Sequence, residues 1–126
     1  MELAVIFDMD GVLVDTYQAH YRSWVAMAER EGFTFTEAQF APTFGRTSRE
    51  IIGHFWGSEL SDHRIAEMDS AKEAAFREII DNDFPAMPGA RKLIDSLADE
   101  GFALAVGSSG PPENVAMVLE RLGVRE

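Results

Sequence analysis

Leu3-Ala4-Val5-Ile6-Phe7-Asp8-Met9-Asp10-Gly11-Val12-Leu13 is the stretch on which the reading of this chain turns. A short apolar run with β-branched residues reads as a buried strand. It ends in two aspartates one residue apart, and carboxylates are costly to bury. Residues i and i+2 of a strand project to the same side, so extended geometry brings Asp8 and Asp10 together and turns Met9 away. Two anions that close call for a cation between them, and a hard divalent ion with oxygen ligands, most naturally Mg²⁺, meets the need. Gly11 then lets the backbone turn beside the pair. The competing reading makes Asp8 a helix N-cap and Asp10-Gly11 an ordinary turn. The strand in front of the pair argues for the first.

Working outward, the pattern predicts a helix over 16–31, with Tyr17, Tyr21, Trp24 and Ala28 on one face and Gly32 as its stop. Thr36-Glu37-Ala38-Gln39 and Thr47-Ser48-Arg49-Glu50 are capping-box patterns. The second opens a helix with Ile51, Ile52, Phe55 and Trp56 as its apolar face. Ser61 or Asp62 starts a longer helix carrying Ile65, Met68, Ala75, Phe76 and Ile79. The turn-rich passage at 81–89 marks a boundary. Beyond it come a helix with Ala90, Leu93, Ile94 and Leu97, and a second buried strand, Phe102-Ala103-Leu104-Ala105-Val106. The polar loop Gly107-Ser108-Ser109-Gly110 and a last helix with Val115, Val118, Leu119 and Leu122 complete the pattern.

Two strands with a helix between them predict a parallel βαβ unit, interrupted just after the aspartate pair by a helical insert. The expected division is an α/β core from 1–14 and 84–126 and a helical cap from 15–83. Ligands of open parallel sheets bind outside the carboxyl ends of the strands, where Asp8 and the Ser108-Ser109 loop lie and where such an insert would serve as a lid.

Composition narrows the partners. Eleven Lys and Arg against 22 Asp and Glu give a net charge of −11, which opposes binding to nucleic acid or an anionic membrane surface. It leaves an anionic small substrate open, because a metal and local arginines invert the field in a cleft. The chain has no cysteine, so disulfides, thiolate catalysis and cysteine-bound metal sites are excluded. With no basic leader and no apolar stretch of spanning length, the expectation is a cytoplasmic protein. Neither a Gly-x-Gly-x-x-Gly fingerprint nor a Gly-Lys-Ser/Thr loop occurs.

The chemistry open to these residues is phosphoryl transfer. An ordinary aspartate is ionised at neutral pH, and attack by Asp8 on phosphorus gives an aspartyl-phosphate. Mg²⁺ on Asp8 and Asp10 would screen the repulsion between carboxylate and phosphate. Asp10, two residues on, is placed to protonate the leaving oxygen and later to take a proton from water, a role that an anionic neighbour favours. Ser108 or Ser109 would hydrogen-bond the phosphoryl group, though loop turns use serine in the same way.

Phe7-Asp8-Met9-Asp10-Gly11-Val12-Leu13-Val14-Asp15-Thr16 resembles the signature of the haloacid dehalogenase-like superfamily, in the branch of β-phosphoglucomutase and phosphoglycolate phosphatase. The resemblance implies a partial doubly wound parallel sheet, Rossmann-like, with an inserted helical cap. It implies that Asp8 is nucleophile and first Mg²⁺ ligand, that Asp10 is general acid/base and offers its backbone carbonyl to the metal, and that Ser108 binds phosphate. On the cap it implies that His20 helps align Asp10 and substrate, and that Arg49 clamps a non-reacting phosphate, with Arg46 a rival for that role. Lys72 matches either a cap lysine near the active site or an exposed helical lysine. His54, beside Phe55 and Trp56, reads as structural, and His63 matches no role.

Such enzymes also use a lysine after a third strand and an acidic pair after a fourth. The only lysines here, Lys72 and Lys92, stand at neither place. The expectation is therefore a Mg²⁺-dependent phosphatase or phosphomutase for a small phosphorylated metabolite, present as part of a longer enzyme or completed by another chain. The alternative is a catalytically incompetent fragment that acts as a binding or assembly module. Two strands also leave a sheet edge unpaired, a route to self-association.

Overall fold

The computed structural model describes residues 1–124. The last two positions of the expected 84–126 core segment lie outside them. The fold is mixed α/β, with two parallel strands and a majority of helix among the described residues. The chain forms two compact units, one from Met1–Thr16 and Phe84–Glu126 and one from Tyr17–Asp83.

In the α/β unit, β1 (Ala4–Phe7) pairs in parallel with β2 (Ala103–Val106), Ala4 opposite Ala103 and Phe7 opposite Val106. The ladder continues through the Gly107 N–H, which donates to the Phe7 carbonyl at 2.8 Å. A Cβ on Gly107 would meet the Ile6 side chain at 3.3 Å, so this strand end is closely packed. Side chains alternate across the sheet. Val5, Phe7, Leu104 and Val106 are at least partly covered, whereas Ala4, Ile6, Ala103 and Ala105 are exposed. Both strands were expected to be buried throughout, and that expectation is corrected: Ile6 is 75% exposed and Leu3 51%. An apolar run is buried on both faces only when a layer lies on each, and the described residues cover one.

The turn after β1 is tightly organised. The Met9 carbonyl accepts the N–H groups of Val12, Leu13 and Val14, and Gly11 takes a φ of +79° that other L-residues rarely adopt. Leu13 and Asp15 then pair with the returning chain: the Met87 N–H donates to the Leu13 carbonyl at 2.9 Å and the Asp15 N–H to the Pro85 carbonyl at 2.8 Å.

In the helical unit, α1 (Tyr17–Arg30) and α3 (Ser48–Trp56) both pack on α4 (Asp62–Asn82), with the short α2 (Glu37–Phe40) between α1 and α3 in the chain. Thr36 and Gln39 form a reciprocal capping box at α2, Thr47 caps α3 and Ser61 caps α4. Gly32 stops the first helix, and the Phe33 N–H satisfies the Ala28 carbonyl at 2.7 Å. Trp24, Met27, Ala28, Phe35, Phe40, Ile51, Ile52 and Met68 form the core.

After the helical unit, α5 (Ala90–Asp99) packs on β2 through Ala90 and Ile94, while Leu93, expected on its inner face, is 51% exposed. The last helix, α6 (Pro112–Leu122), buries Asn114, Val118 and Leu122. No helix among the described residues is long and apolar enough to cross a membrane.

Candidate active site

The α/β unit brings four of the expected site residues to one end of its sheet. Phe7 and Val106 are paired, so Asp8 and the Gly107-Ser108-Ser109 loop leave the sheet side by side. Through Asp8, Met9 and Asp10 the backbone alternates: Asp8 is exposed, Met9 is 1% exposed, and Asp10 is half-buried. The buried methionine anchors the turn between the exposed Asp8 and the half-buried Asp10. Asp8 Oδ1 accepts the N–H of Met9 at 2.8 Å, which fixes one carboxylate oxygen. The Thr16 hydroxyl, fully buried, donates to Asp10 Oδ1 at 2.5 Å.

Sequence reasoning missed Thr16, because nothing in its neighbours marks it as a partner for a carboxylate six positions earlier. Thr16→Val keeps the shape and deletes the donor. We expect it to lower stability by about 1.5–3 kcal/mol, the usual worth of a hydrogen bond to a charged group. Urea denaturation checks this, and an unchanged midpoint would contradict it.

The Ser108 hydroxyl oxygen accepts the Gly110 N–H at 3.1 Å, folding the loop back on itself ahead of Pro111 and Pro112. Ser109 is exposed on the same loop. The Asp8 carboxylate and the Asp10 backbone carbonyl are hard oxygen donors of the kind Mg²⁺ takes, with the other positions left to water and substrate phosphate. No cluster of three or more His, Cys, Asp or Glu suited to a metal occurs among the described residues. A donor set this small is compatible with Mg²⁺ only where substrate and solvent complete the shell.

The helical unit gathers the remaining candidates. His20 of α1 is half-buried, its ring stacked on Phe76 of α4 with centroids 4.0 Å apart and planes 7° apart. Lys72 Nζ lies 2.7 Å from His20 Nδ1. The reading of Lys72 as an exposed helical lysine is overturned, since it is 2% exposed. Its ammonium also lies 5.2 Å from the rings of Trp24 and Phe76 and 3.2 Å from Glu73 Oε1. The Ser48 hydroxyl donates to that same carboxylate oxygen. Sequence reasoning missed Glu73 and Ser48. A signal for the lysine was available, because Lys72 stands between Met68 and Phe76 at helical spacing, all three buried.

Arg49 is paired with Asp69 at 3.4 Å and its side chain is 68% exposed. Burial raises the Asp69 carboxyl above the usual carboxylate range and the negative Glu73 adds to the effect, while Arg49 opposes it. Surface pairs of this kind are weak. Arg46 pairs with Glu50 at 3.5 Å. His54 meets the edge of Phe55, and His63 pairs with Glu67 at the surface.

Residues 5–126 match the family model of haloacid dehalogenase-like hydrolases. The chain is 28% identical over 127 residues to a phosphorylated carbohydrates phosphatase of Thermotoga maritima, covering 98% of this chain and 57% of that protein. It is 29% identical over 128 residues to the beta-phosphoglucomutase of Bacillus subtilis, covering 96% and 56%. In structure it resembles the beta-phosphoglucomutase of Clostridium difficile, with a TM-score of 0.83 and 25% identity over 100% of this chain and 59% of the other. The chain thus spans little more than half the length of these relatives. With the family match running through the aspartate-bearing strand and both units, the chain belongs to the haloacid dehalogenase-like hydrolases.

Proposed function

We propose that this chain carries the nucleophile-bearing part of a Mg²⁺-dependent phosphoryl-transfer enzyme acting on a small phosphorylated metabolite, such as a sugar phosphate. The observation that carries the reading is the sheet end itself. An exposed Asp8 with one oxygen tied down, an Asp10 held by Thr16 and a serine loop leave adjacent strands.

In this mechanism the free oxygen of Asp8 attacks phosphorus, and the bond to the substrate's leaving oxygen breaks as Asp10 delivers a proton to it. Asp10, now ionised, takes a proton from water as that water attacks the aspartyl-phosphate, and the bond from phosphorus to Asp8 breaks to release phosphate. Ser108 and Ser109 hold phosphoryl oxygens by hydrogen bonds. Bound by Asp8 and Asp10, Mg²⁺ would supply positive charge against the phosphoryl oxygens. In this reading the helical unit contributes substrate-binding residues: Arg49, with Arg46 as its rival, for a distal anionic group, and His20 backed by the buried Lys72.

Hydrolysis and mutase chemistry share the first half of this scheme. Incubation of the chain with Mg²⁺ and β-glucose 1-phosphate separates them: inorganic phosphate alone identifies a phosphatase, and glucose 6-phosphate a mutase. A second reading rests on the share of the relatives' length that the chain spans. If no phosphate is released from a panel of sugar phosphates, the chain acts as a binding or assembly module, for which the open sheet face and edge offer the surface.

A further inference from the structure

We propose that Glu73, anchored by Ser48, is a positioning residue that fixes the tautomer of His20 through Lys72, so that His20 serves as a hydrogen-bond donor from Nε2 and not as a base. The inference rests on the reading of His20 as a group at the substrate, and extends it to two residues without an assigned role.

The argument begins with the 2.7 Å contact between Lys72 Nζ and His20 Nδ1. An ammonium has three N–H donors and no lone pair, so the ring nitrogen facing it must accept. Nδ1 then carries no proton, and the proton of the neutral ring sits on Nε2. This logic holds only while Lys72 is charged. An amine buried without a counter-charge tends to give up its proton, after which it accepts as well as donates and no longer dictates the tautomer.

Glu73 supplies the counter-charge at 3.2 Å, itself only 6% exposed. Its Oε1 takes hydrogen bonds from both Lys72 and Ser48, so two helices, α4 and α3, hold the carboxylate in place. The indole of Trp24 and the ring of Phe76 add cation–π attraction for the ammonium. Stacking on Phe76 and the edge contact with Phe44 set the plane of the imidazole. Asp69 and Arg49 are the next charges outward: Asp69 feels both Glu73 and Lys72, and Arg49 pairs with it. The cluster therefore defines which ring nitrogen has the proton, as well as where the ring lies. A histidine so held presents an N–H to an oxygen acceptor, such as a hydroxyl, a carboxylate or a phosphoryl oxygen.

Long-range ¹H–¹⁵N correlation spectra of the imidazoles, recorded on the whole ¹⁵N-labelled chain at constant pH 7.5, test this directly. His20→Gln assigns the signals, and the exposed His54 and His63 serve as internal references. The expected result is a single Nε2–H tautomer for His20 and averaged tautomers for His54, with His63 biased toward Nε2–H by its surface contact with Glu67. Glu73→Gln keeps an oxygen for Ser48 but removes the charge, and the exclusive Nε2–H pattern should be lost while far-UV circular dichroism is unchanged. Should that variant fail to fold, Lys72→Met removes the ammonium that faces Nδ1 and should likewise abolish the exclusive Nε2–H pattern. A proton on Nδ1 in the parent chain, or an unaltered pattern in the folded variant, would overturn the proposal. The spectra need no turnover, so a failure of the phosphoryl-transfer reading and a failure of this inference are separately visible.

Discussion

Asp8→Asn is expected to reduce phosphate release from sugar phosphates by roughly 10⁴-fold or more, the scale on which enzymes lose rate when a nucleophile is removed. The substitution is nearly isosteric. An asparagine oxygen still accepts the Met9 N–H that Asp8 accepts at 2.8 Å, so the turn has no reason to rearrange. The second carboxylate oxygen is lost, and with it the negative charge that, in the proposed mechanism, attacks phosphorus and draws Mg²⁺. Steady-state assays of parent and variant at saturating Mg²⁺ measure the effect, with a thermal melt to verify the fold. A variant within tenfold of the parent would remove Asp8 from the mechanism.

Trp24→Ala should cost about 3–5 kcal/mol, as truncation of a fully buried aromatic does. Trp24 is 1% exposed at the centre of the helical unit, with the rings of Phe35 and Trp56 at 5.8 and 6.3 Å. Its face also lies under the Lys72 ammonium at 5.2 Å, so the cavity removes an attraction for a buried charge along with apolar contact. Trp56 stays behind as a fluorescent reporter, stacked on Phe33. Urea denaturation followed at its emission measures the loss, and a change below about 1 kcal/mol would show that the site collapses around the missing ring.

The strand end was legible before any coordinates, because a two-residue period and a carboxylate pair both act over a few positions. The same holds for the Thr36–Gln39 capping box and for the serine and threonine caps of α3 and α4. Periodicity says which residues share a face; it is silent on what lies opposite. Lys72 meets His20 across 52 positions and Ser48 meets Glu73 across 25, so the polar cluster inside the helical unit arises only when three helices pack. Leu93 and Ile6 show the converse: each has the spacing of a core residue, but burial needs a neighbouring layer as well as an apolar side chain.

The paired segments at 13–15 and 85–87 have one more implication. The chain leaves the α/β unit and re-enters it at one spot, where two strands of backbone are stitched by the hydrogen bonds of Asp15 to Pro85 and Met87 to Leu13. A module whose two ends emerge together is interchangeable in principle, because its replacement by a different helical bundle, or by a tight hairpin, asks the remainder of the fold to span no new gap. That single doorway is where one helical module can be exchanged for another by recombination while the sheet and its aspartate turn stay untouched.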